Sequence, residues 1–208
     1  MPRPKKTTAQ LLEMRQKILD AAYDILLKEG SEGLTSRAIA ERIGVTHMTL
    51  FTYFPNQAAI LQALSAREFA KMRPQQEAFE QRAGAEDIQH VVVEMLRYYT
   101  DFARNSPNAY RLAWVMPEMG IESQDENRQR MRDTIGYLAR IIKVGMAQRR
   151  FTPRDPFLAA ATVLGMVNMP YILFHNGKIK DPVMRDRMAD EVIDAVLGYL
   201  KTSHASFE

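Results

Sequence analysis

The sequence contains no cysteine, so disulfides, thiol nucleophiles and cysteine-ligated metal centres are excluded. A reducing, cytoplasmic setting is the expectation. Period-two alternation is also missing: no run alternates apolar and polar residues for long enough to make a strand. The usual catalytic arrangements are lacking too. No Ser-His-Asp order, glycine-rich phosphate loop or paired carboxylate stands out, so an enzyme is not expected and no cofactor is implied. Asp87, His90 and Glu94 fall near one helix face, but a solvated face explains them better than a metal site. Charge of one sign is scarce. Lys and Arg number 28 against 25 Asp and Glu, and a formal charge of +3 permits a nucleic-acid partner without demanding one. The first residues, MPRPKK, are polar and basic with no apolar run behind them, unlike a secretory signal.

One long apolar run does exist. FLAAATVLGMVNMPYILF, residues 157–174, carries no charge over a length close to a minimal membrane span. It also holds Thr162, Gly165, Asn168 and Pro170, and no second such run accompanies it. A helix buried on several sides, in a core plus a subunit interface, accounts for it without a membrane.

What the chain has is helical periodicity. Ile18, Ala21, Ala22, Ile25 and Leu26 recur at helical spacing. So do Ile88, Val91, Val92, Met95, Tyr99 and Phe102; Met131, Ile135, Leu138, Ile142 and Met146; and Met188, Val192, Val196 and Leu200. Punctuation divides an all-α chain into about nine helices. Gly30 and Gly33 close the first, Thr35 or Ser36 caps a second that stops at Gly44, and Thr46 opens a third that ends before Pro55. Asn56 caps a fourth running toward Gly84, and Glu86 begins a fifth that stops near Ser106-Pro107. A sixth carries NAYRLAWVM, Ser123 caps the seventh, Pro153 and Pro156 start the eighth, and Asp181-Pro182 starts the ninth.

The second and third helices are short and joined by Ile43-Gly44-Val45, a turn where glycine permits a left-handed residue. Ile39, Ile43, Val45, Leu50 and Phe54 can pack this pair onto the first helix as a helix-turn-helix, which places its second helix in a DNA major groove. On an ideal wheel Leu50 and Phe54 anchor that helix, while Thr46, Thr49 and Tyr53 project away as a polar stripe. Met48 and Thr52 lie on the outer side, and His47 and Phe51 on the flank. Hydroxyls of this kind reach phosphates or bases, and apolar groups touch thymine methyls. Ser36 and Arg37, at the start of the second helix, suit phosphate.

Residues 16–61, QKILDAAYDILLKEGSEGLTSRAIAERIGVTHMTLFTYFPNQAAIL, resemble the DNA-binding domain of the tetracycline-repressor (TetR) family. The likeness lies in the IL-AA helix, Gly30, LTSRAIAERIGV and TLF-YF. The resemblance implies a homodimeric, ligand-responsive regulator of transcription, usually a repressor, on a near-palindromic operator in double-stranded DNA. Positions matching the family's DNA contacts are Ser36, Arg37, Thr46, His47, Met48, Thr49, Phe51, Thr52, Tyr53 and Gln57. Three depart from the family pattern: Met48 stands where glycine or proline is frequent, Phe51 replaces a tyrosine, and Gln57 replaces a phosphate-binding lysine. The implied organisation is a basic arm over 1–11 with Arg3, Lys5 and Lys6, a DNA-binding domain over 12–72 with its motif at 35–54, and a ligand-binding and dimerisation domain over 73–208.

In that last part FARNSPNAYRL, Phe102 to Leu112, resembles a segment in one branch of the family's ligand domains. Tyr98, Phe102, Tyr110, Trp114, Met116, Met146, Met166 and Met169 are candidates to line a pocket for a small apolar or amphipathic ligand, with plain core packing as the competing role. The segments 157–174 and 182–202 are the expected dimer interface. Two alternatives stay open: a regulator of this fold without a small-molecule inducer, and an all-helical enzyme.

Overall fold

The structure is a computed structural model and describes residues 7–115 and 124–202. Among these residues all regular structure is helical. The order is α1 (Thr8–Gly33), α2 (Ser36–Arg42), α3 (His47–Phe51), α4 (Gln57–Ala85), α5 (Ile88–Asn105), α6 (Pro107–Tyr110), a π-helical turn (Arg111–Val115), α7 (Gln124–Ala147), α8 (Pro156–His175) and α9 (Pro182–Lys201). Arg3, Lys5 and Lys6 of the basic arm, Met116 and the Ser123 cap lie outside the described residues.

Local chemistry sets most of these boundaries. Side-chain oxygens of Thr35, Thr46, Asp155 and Asp181 accept from free amides at the starts of α2, α3, α8 and α9, and Asn56 Oδ1 accepts from the Ala59 amide at 2.8 Å. Gly44 has φ +71°, the left-handed turn that ends α2. The helix expected to close at Gly30 and Gly33 instead kinks at Gly30 (φ +74°) and resumes to Gly33. The start of α5 corrects another expectation. Asp87 caps it, accepting from the Gln89 amide at 3.0 Å, while the Glu86 carboxylate takes two hydrogen bonds from Arg82. The sixth helix is no continuous element, since α6 gives way at Arg111 to the π-helical turn.

The described residues form two compact units, one of 7–70 and 111–115, the other of 71–110 and 124–202. The first is built around Ile18, Ala22, Ile25, Leu26, Leu34, Ile39, Leu50, Phe54, Ile60 and Leu64. Leu112 joins that core, and the Trp114 ring meets Phe69 edge-on at 5.4 Å. This places RLAWV with the N-terminal unit, which an assignment at residue 73 does not foresee.

The second unit packs α5, α7, α8 and α9 around Val91, Val92, Met95, Leu138, Ile141, Ile142, Ala160, Val163 and Val196. Polar bonds pin its interior. Tyr110 Oη donates to Asn168 Oδ1 at 2.7 Å, Asn168 Nδ2 to the Leu164 carbonyl at 2.8 Å, and Tyr171 Oη to the Thr100 carbonyl at 3.0 Å. Burial pushes the Tyr99 phenol up to about 12 and raises Tyr110, Tyr137 and Tyr171 as well. Unfolded tyrosines ionise near pH ~10. The folded state then holds protons that the unfolded state releases, so stability present below that pH is lost as pH rises through it. Urea midpoints measured from pH 8 to 11 should be flat at first and fall beyond about pH 10; a midpoint unchanged at pH 11 would contradict this.

Candidate nucleic-acid interface

The helix-turn-helix is α2, the Gly44 turn and α3. Its inner side is fixed by Ile39 and Leu50, both fully buried, and by Phe54 just past the end of α3. Arg15 of α1 clamps that end. Its guanidinium lies 4.0 Å from the centroid of the Phe54 ring and donates to the Tyr53 carbonyl. No sequence signal marked Arg15, because its role comes from tertiary packing alone.

The outer side of α3 is less polar than its composition suggests. Met48 is 73% exposed. His47 is exposed, with its ring edge-on to Phe51 at 4.7 Å. The three threonine hydroxyls are engaged locally. Thr46 Oγ1 accepts from the Thr49 amide at 3.1 Å, Thr46 and Thr49 share a hydroxyl hydrogen bond of 2.8 Å, and Thr52 Oγ1 donates to the Thr49 carbonyl at 2.7 Å.

Three expected contact residues sit otherwise than read. Tyr53 is only 6% exposed and packs in the unit's core; it does not belong to an outward stripe, because α3 ends at Phe51 and the wheel does not extend through the following turn. Ser36 is buried at the start of α2. Gln57 donates its side-chain amide to the Leu34 carbonyl, tying α4 to the α1–α2 connection. Arg37 is exposed and makes no ion pair among the described residues. The described outward groups are therefore Arg37, Thr46, His47, Met48 and Thr52, with Thr49 and Phe51 half-buried beside them.

Residues 18–64 match the family described as bacterial regulatory proteins, tetR family. Over 60 residues the chain is 42% identical to the HTH-type transcriptional repressor KstR of Rhodococcus jostii, a stretch covering 29% of this chain and 28% of that protein. It is 29% identical over 128 residues to the HTH-type transcriptional regulator TtgW of Pseudomonas putida, covering 61% of this chain and 90% of that one. Residues 18–64 thus form a DNA-binding domain of the TetR type. The chain's fold is also that of Thermus thermophilus FadR, a TetR-family repressor solved with lauroyl-CoA: TM-score 0.67, 14% identity, 93% of this chain and 98% of that one.

Elsewhere in the chain the candidate ligand residues have different surroundings. Tyr98, Met146 and Met166 pack half-buried against the C-terminal core, Phe102 is half-buried on α5, and Tyr110 is held by Asn168. Trp114 belongs to the N-terminal unit. Met169 is 48% exposed and turns away from the core. An open cleft of about 390 Å³ between α5 and α9 is charged, lined by Arg97, Thr100, Asp101, Arg104, Asp190, Ile193 and Asp194, with none of the eight candidates among them. Of the considered metal ligands, Asp87 caps α5, and Glu94 accepts from Arg82 and pairs with His90 at 3.1 Å.

The uncharged segment lies in α8, which is long and apolar enough to cross a membrane, with 39% of its apolar window buried. Ala159, Ala160, Val163, Val167 and Tyr171 face the core, while Phe157, Leu158 and Met169 are 47%, 65% and 48% exposed. On α9, Val183 and Met184 are exposed as well.

Proposed function

We propose that the protein is a cytoplasmic, homodimeric repressor that binds a near-palindromic operator and leaves it when a small apolar or amphipathic ligand binds the C-terminal unit. The reading rests chiefly on one observation: α3 is pinned from inside by Leu50 and Phe54 and presents His47, Met48 and Thr52 to solvent, on a domain that matches the TetR family. Dimerisation through α8 and α9 accounts for an uncharged helix whose Leu158 and Met169 face solvent in the protomer. Release requires the ligand to prefer a conformer whose recognition helices no longer match two half-sites. The lauroyl-CoA bound by FadR supports an acyl or similarly amphipathic ligand.

A regulator without a small-molecule inducer is the second reading. It is favoured by the way Tyr98, Met146 and Met166 pack against the core while the described cleft is charged.

The test is fluorescence anisotropy on duplexes from the protein's own upstream region across a salt series. Wild type should bind with an affinity that falls steeply as salt rises. Arg37→Ala should weaken binding at every sequence alike and reduce the salt slope by about 1. An unchanged slope would remove Arg37 from the contact surface, and no binding at all would sink the proposed function. Adding acyl-CoAs to the bound complex separates the two readings.

A further inference from the structure

We infer that α3 reads its half-site chiefly through thymine methyl groups, with Met48 at the centre of an apolar reading surface completed by Thr49 and Thr52. The inference rests on the DNA-reading role proposed above and names the base class that role selects.

Three observations carry it. First, the side chains that read guanine or adenine by paired hydrogen bonds are arginine, lysine, asparagine and glutamine. None occurs between Thr46 and Phe54. Second, the donors that are present are mostly committed. Of three threonine hydroxyl protons, one is used by Thr52 on the Thr49 carbonyl and one lies between Thr46 and Thr49, which leaves one to offer outward. With its hydroxyl proton spent on the Thr49 carbonyl, exposed Thr52 has a methyl group and an acceptor oxygen left for a base, and no donor. Third, Met48 is 73% exposed, and an unbranched thioether held in water on a short helix gains by covering a methyl group in the groove. Tyr53 cannot restore a polar reading, because its side chain is buried. His47 keeps one imidazole able to reach a purine N7, so the surface is apolar with a polar edge.

The experiment is selection from a random duplex library with wild type and Met48→Ala, followed by anisotropy on the selected site with single thymines replaced by uracil. That replacement removes only the 5-methyl group. Wild type should enrich thymine at neighbouring positions in each half-site and lose about three- to five-fold affinity at a contacted uracil, the scale of one buried methyl group. In Met48→Ala, whose circular dichroism should match wild type, that penalty should shrink to nearly nothing. Thr49→Val, which keeps methyls and drops the hydroxyl, should retain the uracil penalty at its own base, and Thr49→Ser should lose it. Equal affinity for thymine and uracil sites in wild type, or half-sites dominated by G·C, would overturn the inference while leaving DNA binding intact. Failure to enrich any sequence would overturn the DNA-reading function itself.

Discussion

Phe54→Ala should destabilise the N-terminal unit by about 3–5 kcal/mol, the range for truncating a buried aromatic ring. Phe54 is 1% exposed and sits where the chain leaves α3 for α4. It packs among Ile39, Leu50 and Ile60 and carries the Arg15 guanidinium on its face. Truncation therefore opens a cavity and removes the platform on which Arg15 holds the Tyr53 carbonyl. The two units have separate cores, so the loss should be uneven. Urea unfolding followed by circular dichroism should show an early transition for the N-terminal helices, with the C-terminal helices melting near the wild-type midpoint. DNA affinity should fall with the folded fraction of the first unit. Met48→Ala, on an exposed side chain, should leave the midpoint within about 0.5 kcal/mol of wild type. A single wild-type-like transition for Phe54→Ala would contradict the packing described here.

The contrast between these two residues shows how far the sequence is legible. Leu50 could be named as an anchor because helical spacing and a large apolar side chain agree, and Phe54, past the end of α3, because a large apolar ring seeks burial whatever the backbone does. Thr35, Thr46 and Asp181 could be named at helix starts because capping is decided within three residues of chain. Tyr53 could not be placed, since a helical wheel holds only where the helix continues, and α3 stops at Phe51. The threonines were readable as hydroxyl-bearing but not as engaged. Where a hydroxyl points depends on a competition between its own backbone and outside partners, and composition is silent on that. The partners of Gln57 and Trp114 are illegible in the sequence for a third reason. The Leu34 carbonyl and the Phe69 ring are 23 and 45 residues away in sequence, and no local pattern announces them.

The other large effect concerns α8. If the proposed dimer forms through α8, Gly165→Arg should leave a monomer and weaken operator binding about 10²–10⁴-fold, the range set by losing the linkage between two binding modules. Gly165 is exposed in the protomer, and a Cβ built there meets nothing within 4 Å. Within one subunit, then, the new side chain has room, and arginine favours a helix interior over glycine by several tenths of a kcal/mol or more. Gly165 lies between Leu158 and Met169 on a 4–3–4 spacing through Thr162, the outward line of a helix that carries no charge from end to end. If that line meets its own copy, the arginine is an unpaired charge in an apolar contact, which costs several kcal/mol per site. Sedimentation at micromolar concentration should show one protomer mass, and far-UV circular dichroism should be unchanged. Met169→Glu should act the same way from the other end of the line. A variant that stays dimeric and binds as wild type would mean that the partner is met elsewhere, and the exposed carbon on α8 would then need another explanation.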